Sequence, residues 1–540
     1  MDGGINIPVL DLVIIITYLL GIVAIGILST RKQKLNSDNY FLAGRGLKWG
    51  MVGAALFASN ISTIHLVGLA ASGYNDGLVW GNFEWMATVT LILLGLVFAP
   101  FYFRSKISTL PEFLERRYSP ASRTFLAFMA ILGALFIHIG MSLYAGAAVF
   151  EQFFGIDVYT SIIIISILTA IYTVFGGLKA VVVTESIQTV LLLLGAVLVT
   201  LFAILALPEH GITSIAEFKA ALKPNQLSMV HTDNSVGLAW YAVLLGYPIL
   251  GVWYWCSDQT IVQRVLGAKT ERDAQLGPLF AGFLKILPVF ILVFPGVVAY
   301  VLFKDIIGTN SNQTLPVLIN QLIPTGLKGL ISAGLLAALM STIAAALNSS
   351  ATLVAVDIVK RIKPNTSDEK QVKIGRIAAI VIMLLAMVWS TQGGRYSSIF
   401  EAINAIASNL APPITTVFLL GVFWKRGTKE ASLYTLILGF TLGAIAFSLD
   451  LPLFGDTKII TTLWGIPFMM QAWWLFVICT IFFIIVSYLT PAPDPEKIKE
   501  ITWESPLQVF TKGKITGFTD PRVLAGGLLL LLAVLYFLMA

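Results

Sequence analysis

Charge is what this chain has least of. Only 12% of its 540 residues are Asp, Glu, Lys or Arg, about half the share of a soluble protein. With 57% hydrophobic residues, a water-soluble globular protein is excluded, because no charged coat exists to cover that much apolar surface. Cysteine is also scarce. Cys256 and Cys479 are the two present, each inside an apolar segment, which excludes a disulfide framework or a cysteine metal cluster. No phosphate-binding glycine loop, metal-ligand cluster or nucleophile elbow occurs, so an enzyme finds no support. No Lys or Arg precedes Arg31. The first apolar run therefore lacks the positive start of a cleavable signal and is expected to be a span with its amino terminus outside. Nor do the apolar runs alternate, which excludes a β-barrel.

What the chain does have is long hydrophobic runs. Fourteen are expected to span a lipid bilayer as helices of ~20 residues: 9–29, 49–71, 85–103, 124–150, 159–178, 181–206, 236–257, 276–303, 329–358, 374–392, 399–424, 430–449, 463–489 and 522–539. The net charge of +6 does not mark a nucleic-acid partner, since the cations sit between runs. With an outside amino terminus, 28 of the 35 Lys and Arg fall in cytoplasmic connections, as the positive-inside rule requires. Both termini are then outside.

Setting aside the first helix (9–29) and three more at the end (430–540) leaves ten spans, 49–206 and 236–424. Five is odd, so the second set enters from the opposite side: a 5+5 inverted repeat within one polytopic domain, 1–540. The first span of each half carries helix-weakening residues at mid-depth. They are Ala58-Ser59-Asn60-Ile61-Ser62-Thr63 in the first half and Gly246-Tyr247-Pro248-Ile249-Leu250-Gly251 in the second. Paired interruptions predict a binding site between the repeats.

Polar residues at membrane depth mark that site. Lys285 interrupts an apolar stretch where a cation costs about 2.5–3.5 kcal/mol, so it needs polar partners or else snorkels to the interface. Glu84 begins a span and is either interfacial or inward. His65, one turn beyond Asn60, and His138 are each read as structural if alone. Ser341 and Thr342 either bond back to their own helix or supply hydroxyl oxygens to Na⁺, a hard cation, beside carbonyls freed near Ala58 and Ile61. Glu185, near a cytoplasmic helix end, either guards an inner vestibule on the sodium path or is solvated there.

Five segments stand out: Phe57-Ala58-Ser59-Asn60-Ile61, Gly81-Asn82-Phe83-Glu84-Trp85, the run from Trp253 to Arg264, Gly282-Phe283-Leu284-Lys285 and Ala411-Pro412-Pro413. Together they resemble the sodium/glucose cotransporter branch of the solute:sodium symporters. The similarity runs from Asp38 to Arg426. It implies an all-α leucine-transporter-like fold and import of a neutral sugar of the glucose or galactose type, coupled to Na⁺ by alternating access. Myo-inositol, sialic acid or another neutral solute is the alternative cargo, and a sugar-gated sensor or channel the alternative class. The membrane implied is the plasma membrane, of the bacterial inner-membrane kind. By matching position, Asn60, His65, Glu84, Tyr254, Trp255 and Lys285 line the sugar site, with Asn404 where sugar binders usually carry glutamine. Leu69, Phe83 and Phe400 form the outer gate. Ala58, Ile61, Ala338, Ser341 and Thr342 hold Na⁺. Gly251 and Ala407 replace polar residues of some members. Ala344 and Ala345 stand where a second sodium site would have hydroxyls, implying one Na⁺ per sugar.

Overall fold

The computed structural model describes residues 8–32, 34, 36–233, 236–391, 399–450, 458–505, 508–511 and 514–540. They form an all-helical bundle. Eleven helices are long and apolar enough to cross a membrane, or twelve when one sharply bent pair counts as a single span. Val158–Leu205 has 48 residues, about 70 Å at 1.5 Å per residue, and the hydrocarbon core is only ~30 Å thick. It is two helices joined at a kink on Gly177, where φ is +60°. A Cβ there would also strike the Tyr40 carbonyl oxygen at 2.4 Å, so only glycine fits.

The middle of the bundle is Leu327–Thr352, rich in Ala, Ser and Gly and almost wholly buried. Small side chains let neighbouring backbones approach on every face. Val9–Thr30, Lys429–Leu449, Phe468–Leu489 and Pro521–Leu538 instead leave most of their apolar surface uncovered, as helices facing lipid do.

The first expected break is where the polar cluster stands. Trp49–Asn60 ends at Ile61 (φ −75°, ψ 102°), and Thr63–Asp76 starts afresh after Ser62. The two arms are bent by 62°. The second break is not where it was expected. Gly246–Gly251 stays helical through Pro248, and the helix Trp240–Gly251 runs on into π-helical turns at Val252–Ser257. The chain breaks only at Asp258 (φ −85°, ψ 125°), whose carboxylate caps the short helix Gln259–Leu266 by accepting from the Thr260 N–H at 2.6 Å. Pro248 withholds one N–H from the helix without ending it. The glycines serve close approach instead: a Cβ on Gly246 would lie 2.3 Å from the Met469 carbonyl oxygen, and one on Gly251 would lie 2.6 Å from Thr90 Cγ2.

Candidate functional site

The two breaks face one cavity. Asn60, Ser62, His65 and Leu69 enter it from the first broken helix, and Tyr247, Trp253, Tyr254 and Trp255 from the second. About 140 Å³ is open to the centres of water molecules. At ~30 Å³ per water that is room for several waters or a small polar solute.

Lys285 and Glu84 form one wall. The ammonium lies 2.5 Å from the carboxylate, and the side chains are 1% and 2% exposed. With so little exposure, neither side chain reaches out to solvent. The ammonium also stands 5.5 Å from the Trp255 ring centre and 5.8 Å from that of Phe57, a cation held by an acid and two π faces. Glu84 sits in the first turn of Asn82–Leu93, where the helix dipole favours a negative charge.

Asn60 ends its half-helix. Its side chain meets Tyr254, and its Oδ1 is buried with no hydrogen-bond partner among the described residues. His65 Nδ1 faces the Ser62 N–H at 3.4 Å and the Ser62 hydroxyl at 3.0 Å. A ring that accepts at Nδ1 carries its proton on Nε2 and is neutral. Asn404 and Ala407 join the lining from Ile399–Phe423. Phe83 stacks on Trp80 at 5.8 Å and on Phe468 at 6.4 Å, and meets Tyr247 edge-on. The side chain of Phe400 lies outside the described residues.

Where Trp49–Asn60 stops, its last carbonyls lose their helical donors. Ser341 Oγ donates to the Ala58 carbonyl at 2.8 Å, and Thr342 Oγ1 donates to that of Ser59 at 3.2 Å. Each hydroxyl also reaches back to Ala338 O, at 2.9 and 3.2 Å. Back-bonding and the cross-helix contact therefore coexist. The cluster offers only oxygen, the donor set a hard cation prefers, and Thr342 belongs also to the cavity wall. Ile61 follows directly in the non-helical link.

Glu185 is not solvated. It is fully buried against Arg264, with the guanidinium 2.6 Å away, and it does not line the cavity. His138, set aside as structural, does line it together with Ser142, and its Nε2 lies 2.9 Å from Asp258 Oδ2 at the second break. Its signal was present: two polar residues four apart in an apolar run share one helix face.

Two half-broken helices around a polar pocket, with hydroxyls meeting freed carbonyls, define an ion-coupled secondary transporter. The description of the sodium:solute symporter family matches residues 40–439. Rabbit (Oryctolagus cuniculus) sodium/glucose cotransporter 1 is 32% identical over 529 residues, covering 90% of this chain and 80% of that protein. Rabbit sodium/myo-inositol cotransporter 2 is 33% identical over 534 residues, covering 91% and 78%. The solved structure of a Na⁺-coupled sialic acid symporter superposes with a TM-score of 0.76 at 22% identity, covering 90% of this chain and 99% of that one. The fold is leucine-transporter-like, and the chain belongs to the sodium:solute symporter family. It is a multi-pass membrane transporter, not an enzyme, and its coupling ion is Na⁺.

Proposed function

We propose that this symporter imports a neutral monosaccharide of the glucose or galactose type across the plasma membrane, one Na⁺ with each sugar. The ten central helices act as two inverted repeats, 49–206 and 236–424, within fourteen crossings, and the cation-rich end faces the cytoplasm. The sugar's hydroxyls are read by Asn60, His65, Glu84, Lys285 and Asn404, and its C–H faces lie against Tyr254 and Trp255. Leu69, Phe83 and Phe400 cover the site from outside. Sodium sits among the carbonyls of Ala58, Ile61 and Ala338 and the hydroxyls of Ser341 and Thr342, and Glu185 stands along its inward path.

One observation carries this reading: Thr342 faces the solute cavity and also bonds a carbonyl freed at the first break. Sodium held there ties the bend of the broken helix to the solute's wall. Neutral polyols need several donors and acceptors plus apolar contact, which the cavity supplies. A membrane potential of about 100 mV contributes ~2.3 kcal/mol per charge, and a tenfold Na⁺ gradient about 1.4. One Na⁺ then concentrates a sugar roughly 500-fold.

The relatives named for glucose and for myo-inositol make a cyclic polyol the second cargo. The test is Na⁺-driven uptake into proteoliposomes with labelled hexoses, myo-inositol, sialic acid and proline, counting charge per solute. Hexose uptake at one charge per sugar is expected. Preference for inositol or sialic acid overturns the cargo, a ratio of two overturns the stoichiometry, and unchanged Na⁺ dependence in Ser341→Ala/Thr342→Ala overturns the sodium site.

A further inference from the structure

The helix that carries Ala338, Ser341 and Thr342 begins against a buried acid from outside the ten-helix core. Asp11, in the first turn of Val9–Thr30, is 0% exposed. Its Oδ1 accepts from two backbone N–H groups, Gly326 at 2.7 Å and Gly329 at 2.6 Å. Gly326 is the residue that caps Leu327–Thr352 and Gly329 lies in its first turn, where the leading N–H groups have no helical partner. The carboxylate satisfies two of them and opposes the positive end of the helix dipole. Its Oδ2 is buried with no partner among the described residues, so the hydrogen bonds of this acid all go to that helix end. The approach is tight: a Cβ on Gly329 would lie 2.7 Å from Asp11 Cα and 2.9 Å from its Oδ1.

We infer that Asp11 is a positioning residue for sodium: it fixes the height and rotation of Leu327–Thr352, and through it the ion's oxygens. Val9–Thr30 is then more than a lipid-facing addition. It also packs along Val158–Leu205, which in turn packs on Trp49–Asn60, so one arm holds both partners of the Ser341–Ala58 contact. The specificity of the effect follows from where the groups sit. Three of the proposed sodium ligands ride on Leu327–Thr352, which touches the solute cavity only through Thr342, whereas Asn60, His65, Glu84, Tyr254, Trp255, Lys285 and Asn404 come from other segments. A small shift of this helix disturbs the ion before the sugar. The inference rests on the sodium reading above.

The experiment measures half-saturation for Na⁺ and, at saturating Na⁺, for the best solute of the uptake panel, in full-length variants reconstituted after a monodispersity check. Asp11→Ala is expected to raise the Na⁺ value about fivefold and to change the solute value less than about twofold. Asp11→Asn keeps an acceptor oxygen, so its Na⁺ value is expected to fall between wild type and Ala; it also carries the test if Ala does not fold. Gly329→Ala leaves all charges in place but pushes the carboxylate away, so it too is expected to raise the Na⁺ value. An unchanged Na⁺ value, or equal rises for Na⁺ and solute, overturns the inference. Ser341→Ala runs alongside: if it leaves Na⁺ dependence intact, the sodium site itself has failed, and that result is separate from a failure of Asp11.

Discussion

The two ends of the cavity are held together by different materials. At the cation-rich end, ion pairs tie residues 104–123 to Glu271, Asp357 and Arg361, and a pair within 104–123 braces them. Arg123 reaches Asp357 at 2.7 Å and Glu115 at 2.5 Å, Arg361 reaches Glu115 at 2.6 Å, and Arg104 reaches Glu271 at 2.6 Å. Thr109 adds a hydrogen bond to Asp357 at 2.8 Å. At the other end rings do the work, Phe83 against Trp80, Phe468 and Tyr247, helped by the Tyr74 hydroxyl on the Gly308 carbonyl at 2.9 Å. Ring contacts are weakly directional and tolerate sliding. Charge-assisted bonds are directional and keep one register. The proposed cytoplasmic end should therefore switch between discrete states, and the outer end should yield gradually.

The largest effect is expected from Arg123→Met. Asp357 is fully buried, and losing its cation strands a charge, which typically costs about 3–5 kcal/mol. Denaturant unfolding in detergent measures it. Arg123→Met/Asp357→Leu should recover most of the loss, because no charge is left unpaired. A double variant as weak as the single would show that the network acts through packing.

Next comes Phe83→Ala at the ring-closed end. Phe83 is only half-buried, so stability should hold. Half-saturation for the solute should rise about tenfold, on the order of 1.4 kcal/mol, as the aromatic cover is lost. Solute titration at saturating Na⁺ reads it. A large fall in stability with solute affinity intact would reverse the contrast between the ends. Smaller still is Arg104→Met. That pair is substantially exposed, and such pairs contribute about 0–1 kcal/mol, so the change should stay below about 1 kcal/mol in the same unfolding assay.

How far the sequence foretold these features depends on how local each one is. The first break was legible because Ser59, Asn60, Ser62 and Thr63 are polar in an apolar run, and that signal needs no knowledge of partners. The second was misplaced because Gly and Pro carry two meanings. Gly246 and Gly251 look like breakers but exist for close packing, while the real break shows only as one acid, Asp258, after an aromatic run. Lys285 announced that it needed a partner but not which one, and Glu84 lies 201 positions away. Asp11 gave no local sign of its role, since the N–H groups it caps are 315 and 318 residues distant.

The smallest effect separates the two ends by acid. Glu115 lies on the short helix Leu110–Arg117, between Arg123 and Arg361. Partial burial pushes its carboxyl up, but hydrogen bonds and charge from Arg361 and Arg123 outweigh that and hold it below its ordinary value of 4.5. A carboxylate depressed in the folded state contributes stability that is fully present above its unfolded value. That contribution fades as pH falls through the folded one. The Glu115 part of the cation-rich closure should therefore hold above its unfolded value and weaken as pH falls below ~4.5, whereas the aromatic rings at the other end take up no proton. Single cysteines beside Arg361 and beside Phe468 can report the two ends through their labelling rates. Acid is expected to speed labelling at the first and leave the second unchanged, after correction for the thiol's own reactivity using unfolded protein. Glu115→Gln should remove the part of the acid response that sets in below ~4.5. If both ends open together at low pH, or if Glu115→Gln keeps the full response, the acid acts elsewhere and the closures do not differ in the way their side chains imply.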